Sequence, residues 1–212
     1  MPFSRMKIDS VDLSSVLLED QFKKIPIKKF SKNNLEYSDD KLSLFVFKSG
    51  KAKVSIYGDD HEFVLYHLEK NNIIIPVESC VIEFLEDSEV YIIDAIKFED
   101  FFRTPSFATA ILASLKLRAE IERKIIQTLL FKNCKTRISS FLIEVALMQK
   151  YLDGKDDIII NLDFSMQEFA SFIGAQRQTV STVFNELMAD EIIERVGKNQ
   201  YKILDWSRLR SL

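Results

Sequence analysis

Four side chains in one short stretch carry groups that can read the edge of a base pair: Arg177, Gln178, Ser181 and Thr182. Arginine can pair bidentately with guanine O6 and N7, glutamine with adenine N6 and N7, and a threonine methyl can meet the thymine methyl. Close by, Ser165, Gln176, Thr179, Lys198 and Asn199 offer hydroxyl, amide and ammonium groups suited to phosphate oxygens. Such contacts set register and orientation rather than sequence preference. The chemistry works only if these residues project together from a rigid support, so the flanking pattern decides whether it is available.

That support is legible. Ser165-Met166-Gln167-Glu168 has the spacing of a capping box, and Phe164 and Phe169 occupy the two positions of a hydrophobic staple. Together they predict a short helix from Met166 to about Ile173. Gly174 follows at a helix end that calls for left-handed backbone. A second helix is predicted from about Arg177, with Val180, Val183, Phe184 and Leu187 at i, i+3, i+4 and i+7. Its opposite face shows Arg177, Gln178, Ser181, Thr182, Asn185 and Glu186. Ile192 to Val196, Gly197-Lys198-Asn199 and Gln200 to Leu204 then read as a β-hairpin wing. Two short helices around a glycine turn make a helix-turn-helix plan, in which the second helix enters the major groove. A helical hairpin with a solvated polar face is the other reading of the same pattern.

Upstream, residues 35 to 94 predict many short strands. Two of them, Lys41 to Phe47 and Ala52 to Ile56, flank Gly50 as an expected hairpin, and Gly58-Asp59-Asp60 marks the next turn. Close strand spacing suggests a β-roll or sandwich. Thr104-Pro105 is a helix start, and no Gly or Pro interrupts residues 106 to 153. A break is expected near Phe131 to Cys134. The first helix has two apolar stripes: Leu117, Ile121, Ile125 and Leu129, and Leu115, Ala119, Ile126 and Leu130. Two apolar faces need two partners, here the β-domain and a second copy of the chain, unless the helix is buried within a monomer. Ser114 and Arg118 fall near the seam and make the heptads imperfect.

Composition limits the options further. Five glycines and four prolines in 212 residues exclude collagen-like and low-complexity classes. No stretch reaches the ~18 to 20 apolar residues of a membrane helix. Met1 to Ser10 lacks the apolar core of a signal peptide, and Cys80 and Cys134 make no disulfide framework, so a reduced, cytoplasmic protein is expected. The formal charge of −3 is uneven: residues 31–102 carry seven Lys/Arg and fifteen Asp/Glu, whereas residues 103–134 carry six and two. Nucleic-acid binding must then be local. With two His and no clustered carboxylate, His and Cys set, no catalytic constellation is visible.

The run from Ser165 to Leu187 resembles the helix-turn-helix of the Crp/Fnr superfamily of bacterial transcription regulators. The resemblance is carried by Gln167-Glu168, Ala170, Gly174 and Arg177-Gln178-Thr179-Val180-Ser181. Leu130 to Ala146, Ile192-Ile193-Glu194 and Tyr201 to Asp205 look like its flanking segments, and Lys41 to Tyr57 looks like its first β-roll hairpin. The resemblance implies an α+β chain with an N-terminal, cupin-like β-roll sensor (1–103), a dimerisation helix (104–133) and a C-terminal winged helix-turn-helix domain (134–212). It also implies a homodimer on a pseudo-palindromic duplex operator, with RNA polymerase as a further partner and no membrane. Where the family usually reads Ser-Arg-Glu-Thr-Val-Ser-Arg, this chain has Gln176 to Thr182. Gln176 is a poorer cap, and loss of the acidic reader changes the expected half-site. Residues 164–190 hold one Arg and three acids, so few phosphate contacts and a shallow salt slope are expected.

The signal is not fixed by these residues. A cyclic-nucleotide member needs a Gly-Glu pair and an Arg in the β-domain, and residues 6 to 102 contain no Arg. An iron–sulfur cluster wants about four Cys. Haem would need an axial ligand, for which His61, His67 and Cys80 are the candidates, although each is readily a surface histidine or a buried small hydrophobe. An interaction module without DNA binding, and a cupin-like enzyme, are the readings from other classes.

Overall fold

The structure, a computed structural model, describes residues 10–37, 42–58, 62–153, 159–162 and 164–212; at 95–98 and 148–153 only the backbone is described. His61 lies outside the described residues. The described chain divides into two compact units, one ending at Lys124 and the other running over Ile125–Leu212.

The first unit opens with two single-turn helices, α1 (Leu13–Val16) and α2 (Glu19–Phe22). There follow β1 (Ile27–Phe30), β2 (Leu35–Glu36), β3 (Ser43–Ser49), β4 (Ala52–Tyr57), β5 (Glu62–Leu68), β6 (Ile73–Ile74), β7 (Val81–Phe84) and β8 (Ser88–Asp94). Then come α3 (Ala95–Phe102) and the start of α4 (Pro105–Phe131). The strands form two antiparallel sheets, in the orders β1-β8-β3-β6 and β2-β7-β4-β5. Aromatic rings tie them together: Phe30 of β1 stacks on Phe84 of β7 at 4.1 Å, and Phe47 of β3 lies 5.8 Å from the same ring.

β3 explains its own unbroken apolar run. Alternate residues of a strand point to opposite faces, and Leu44, Phe45, Val46 and Phe47 are all buried. Phe45 and Phe47 face the aromatic interior. Leu44 and Val46 join a second cluster with Val11, Leu13, Ile93, Phe107 and Ile111.

The expected hairpin around Gly50 does not form. β3 pairs with β8 and β6, and β4 pairs with β5 and β7, so the chain changes sheets at Gly50. The reason is local crowding as well as long-range pairing: Gly50 has φ +91°, and a Cβ there would sit 2.0 Å from Ser88 Oγ. The true hairpin is β4–β5, in which Ala52 pairs with Leu68 and Tyr57 with Glu62.

α4 is one unbroken helix, and its start is held by the N-terminal segment. The Thr104 carbonyl accepts the Ala108 N–H at 3.1 Å, as a cap residue's should, but its hydroxyl donates to Gln21 Oε1 at 3.1 Å. Ser106 Oγ donates to the Val16 carbonyl at 2.8 Å. Of the first apolar stripe, Ile121 and Ile125 are buried, Leu117 is half-buried and Leu129 is exposed. Because the chain itself covers Ile121 and Ile125, the apolar surface left open near the end of α4 is Leu129 with Ile126, Leu130 and Phe131.

In the second unit, after the end of α4, come α5 (Cys134–Asp153), β9 (Ile159–Asn161), α6 (Met166–Ile173), α7 (Arg177–Ala189), β10 (Ile193–Gly197), β11 (Gln200–Ile203) and α8 (Trp206–Ser211). The break in the long helical segment falls at Lys132-Asn133, as expected. The sheet order is β10-β11-β9, all antiparallel. One apolar core joins Ile138, Leu142, Phe169, Val180, Phe184, Leu187, Tyr201 and Leu209. α8 had no sequence expectation; Asp205 ends the wing by capping it, accepting the Arg208 N–H at 2.9 Å. No helix among the described residues is long and apolar enough to cross a membrane.

Candidate nucleic-acid interface

The local signals around Ser165 are realised in full. Ser165 Oγ accepts the Glu168 N–H at 3.2 Å, and Glu168 Oε2 accepts the Ser165 N–H at 2.7 Å. Two N–H groups that the first turn of α6 leaves without helical partners are thereby satisfied. The staple rings Phe164 and Phe169 stack at 5.5 Å. At the far end Gly174 adopts φ +67°, ψ +49°, and its N–H bonds the Ala170 carbonyl. That left-handed residue turns the chain in three residues from α6 into α7.

α7 is held from one side only. Val180, Val183, Phe184 and Leu187 are buried, with Phe184 5.7 Å from Phe169 and 4.9 Å from Tyr201. The opposite face presents Arg177, Gln178, Thr179, Thr182, Asn185 and Glu186 as exposed residues, with Ser181 half-exposed. The structure therefore brings the four expected base readers together at the N-terminal half of one helix. Thr182 spends its hydroxyl proton on the Gln178 carbonyl at 3.0 Å, which leaves its methyl and an acceptor for a ligand. Gln176 stands at the N-cap without a side-chain bond to the helix, so its amide is free of a capping duty.

The expected phosphate contacts differ among themselves. Thr179 and Lys198 are exposed, Lys198 at the wing turn. Ser165 uses its oxygen as the cap of α6 but keeps its proton for an outside acceptor. Asn199 is committed to the fold: its Nδ2 donates to the Phe164 carbonyl at 3.2 Å and its carbonyl accepts the Leu162 N–H at 2.9 Å. It has φ +58°, a conformation asparagine tolerates better than most residues.

Two arginines make contacts that the sequence pattern does not show. Arg137, in the first turn of α5, donates from Nη1 to the Lys132 carbonyl at 3.0 Å and from Nη2 to the Gly174 carbonyl at 3.1 Å. In the first unit Arg118 of α4 is buried with its guanidinium carbon 5.3 Å from the Tyr66 ring centroid. The absence of arginine between residues 6 and 102 does not leave the β-unit without one, because α4 supplies it. Burial pushes the Tyr66 phenol up to about 12, against a partial pull downward from Arg118. Among the described residues, Arg118 Nε and Ser114 Oγ, one turn earlier, are buried with no hydrogen-bond partner. The imperfect heptad positions Ser114 and Arg118 were the available signal for this cluster.

Cys80 precedes β7 rather than lying in a strand, and burial raises its thiol above the usual range, as it does for Cys134. His67 of β5 pairs in register with Lys53, at an alternate position to the buried Val64, Tyr66 and Leu68. The described residues contain no group of three His, Cys, Asp or Glu arranged to hold a metal.

Comparison with known proteins agrees with this geometry. Residues 136–212 match the model of the Crp-like helix-turn-helix domain. No curated protein matches the chain. Among solved structures, a CooA mutant from Carboxydothermus hydrogenoformans is 26% identical, with a TM-score of 0.78 and 98% of each chain covered. The reduced (FeII) CO-sensing protein from R. rubrum is 28% identical, with a TM-score of 0.55, covering 96% of this chain and 99% of that one. A Crp/Fnr-family regulator from Eubacterium rectale shares the fold at 18% identity, with a TM-score of 0.66 and coverage of 95% and 97%. That family is one of regulators rather than enzymes. A β-roll sensor, a long helix and a Crp-like helix-turn-helix with wing strands, in that order along one chain, place this protein in the Crp/Fnr family of DNA-binding transcription regulators.

Proposed function

We propose that the protein is a cytoplasmic, homodimeric, sequence-specific regulator that reads a pseudo-palindromic duplex through α7, under a signal other than cyclic AMP. The observation that carries this is α7 itself: an apolar face sunk in the core and, opposite it, Arg177, Gln178 and Thr182 exposed together. Arg177 reads guanine, Gln178 reads adenine, and the Thr182 methyl meets thymine. Ser181 completes the reading face, while Thr179, Gln176, Ser165 and Lys198 orient it on phosphates. Asn199 serves by holding the wing to the loop before α6.

Residues 104–133 supply the dimer contact in this reading. Leu129, Leu130, Ile126 and Phe131 are exposed on a single chain, Phe131 by 81%, and a second α4 would cover them. Two reading helices then meet half-sites one turn of duplex apart. With RNA polymerase as the second partner, the bound dimer acts on transcription. The CO-sensing described for the R. rubrum relative is not carried over to this chain.

The test is selection of bound duplexes from a random-sequence library by the full chain, followed by gel shift on the recovered sequence. The expected product is a two-fold symmetric site. Arg177→Ala should cost roughly 5- to 150-fold in affinity and relax the preference at one base pair per half-site, corresponding to about 1–3 kcal/mol for a bidentate contact. Unchanged sequence preference in that variant removes Arg177 from the reading face.

A further inference from the structure

We infer that Arg137 is a positioning residue for DNA binding: its guanidinium locks the end of α4 to the helix-turn-helix turn and so sets the spacing at which two reading helices meet DNA. The inference rests on the DNA-binding reading above.

Two carbonyls define the contact. The Lys132 carbonyl follows the end of α4, and the Gly174 carbonyl follows the end of α6. Carbonyls at helix C-termini lack intrahelical donors and carry partial negative charge. Arg137 answers both, with Nη1 on Lys132 at 3.0 Å and Nη2 on Gly174 at 3.1 Å. A planar guanidinium holds its two donors in a fixed fork, so the distance between the carbonyls is fixed as well. A lysine ammonium, a point charge on a flexible stem, reaches one of them without fixing the other.

The backbone around Arg137 is braced to the same end. Its N–H bonds the Asn133 carbonyl at 3.0 Å, and Asn133 Oδ1 accepts the Thr136 N–H at 2.8 Å. Asn133 thus acts as the cap of α5. One turn of helix therefore grips the reading head at two places. Arg137 takes the turn before α7, and Lys135 Nζ reaches Glu186 at 3.1 Å and Asp190 at 3.8 Å near the other end of α7. The Lys135 pairs are partly exposed and weak. The Arg137 bond to Gly174 spans a separation of 37 residues, and the Nε atom of the same guanidinium is buried.

In a symmetric dimer the two α7 helices must sit about one duplex turn apart, roughly 34 Å. Any slack between the end of α4 and α7 is doubled at that distance by the two-fold axis. Removing the fork should therefore blur the preferred spacing before it alters which bases are read.

The experiment uses the full chain as native protein, Arg137→Met and Arg137→Lys. The native chain selects an operator from a random duplex library, and that operator is rebuilt with one or two base pairs added to or removed from its centre. Native protein should prefer the selected spacing by ~10-fold or more, in keeping with the loss of a few directed contacts when one half-site is missed. Arg137→Met should flatten that preference to within ~3-fold while selecting the same half-site bases, with Arg137→Lys in between. Retention of the spacing preference by Arg137→Met overturns the inference, whether its affinity is unchanged or uniformly reduced. If Arg137→Met does not fold, the lysine variant decides by the same criterion. Native protein that selects no duplex overturns the DNA-binding reading and this inference with it. Native protein that selects half-sites without a spacing preference overturns the inference and leaves DNA binding standing.

Discussion

The buried phenol of Tyr66 makes one contribution to the protein's alkaline stability calculable. Tyr66 lies on β5 with 3% of its surface exposed and Arg118 of α4 over its ring. Burial is the chief cause of its rise from 10.0 to about 12. The sign follows from proton linkage. Above pH 10 the unfolded chain gives up the phenol proton while the folded chain keeps it, so rising pH favours unfolding. With pKa values two units apart, the full loss is about 2.7 kcal/mol, and about 1.4 kcal/mol of it has gone by pH 11. Tyr66→Phe removes the titration from both states. Urea unfolding followed by far-UV circular dichroism at pH 9 and pH 11 isolates the effect, because any fixed cost of the substitution cancels between the two pH values. The native chain should lose about 1.3 kcal/mol more than Tyr66→Phe over that interval. Equal losses in the two chains refute the claim that the phenol is held protonated by burial.

Two further outcomes test the local geometry. Gly50→Ala combines left-handed strain of about 1–2 kcal/mol with overpacking of about 1–3 kcal/mol against Ser88, and should lower the urea midpoint accordingly. A second change, Ser88→Gly, should restore only a portion of the overpacking cost, because the Ser88 Cα itself stays 2.7 Å from the added Cβ. Ser165→Ala should cost about 1 kcal/mol through loss of the α6 cap, whereas Ser165→Asp keeps the cap and sets a negative charge against phosphate. Near-native stability with weakened duplex binding in the aspartate variant marks Ser165 as a phosphate contact; undiminished binding removes it from that role.

The reading head was legible because its signals are local. A capping box, a staple pair and a left-handed glycine all act within residues 164–174, and Ser165, Phe164, Phe169 and Gly174 take up those roles in the structure. Strand existence in the β-unit was legible for the same reason, through alternation. Strand pairing was not. Phe45 pairs with Ile92 of β8, and no short-range pattern distinguishes that from a turn back onto β4. α1, α2 and β1 are four residues each, too short for a period to show. β1 is an edge strand, and its Lys28 pairs with Glu36 at 2.8 Å. α8 had no sequence expectation, because six residues beyond the Asp205 cap are too few for a period to show. Arg118 and Arg137 needed tertiary placement: a cation is unremarkable in sequence until a ring or a pair of carbonyls is brought to it.

The double-sided burial of β3 bears on how this chain can vary in descent. Along most strands a one-residue insertion exchanges a wet face for a dry one, and a loop can absorb the shift. Between Leu44 and Phe47 there is no wet face to exchange. A slip there would send phenylalanines into the aliphatic cluster beside Phe107 and Ile111, and aliphatic residues into the ring stack with Phe30 and Phe84. Gly50 closes the exit, since its Cβ-free contact with Ser88 leaves no room for a compensating residue. Length changes should therefore be purged from residues 44–50 in descendants of this chain, even where side-chain identity drifts. The parity of that strand is a more conservative record of ancestry than its composition.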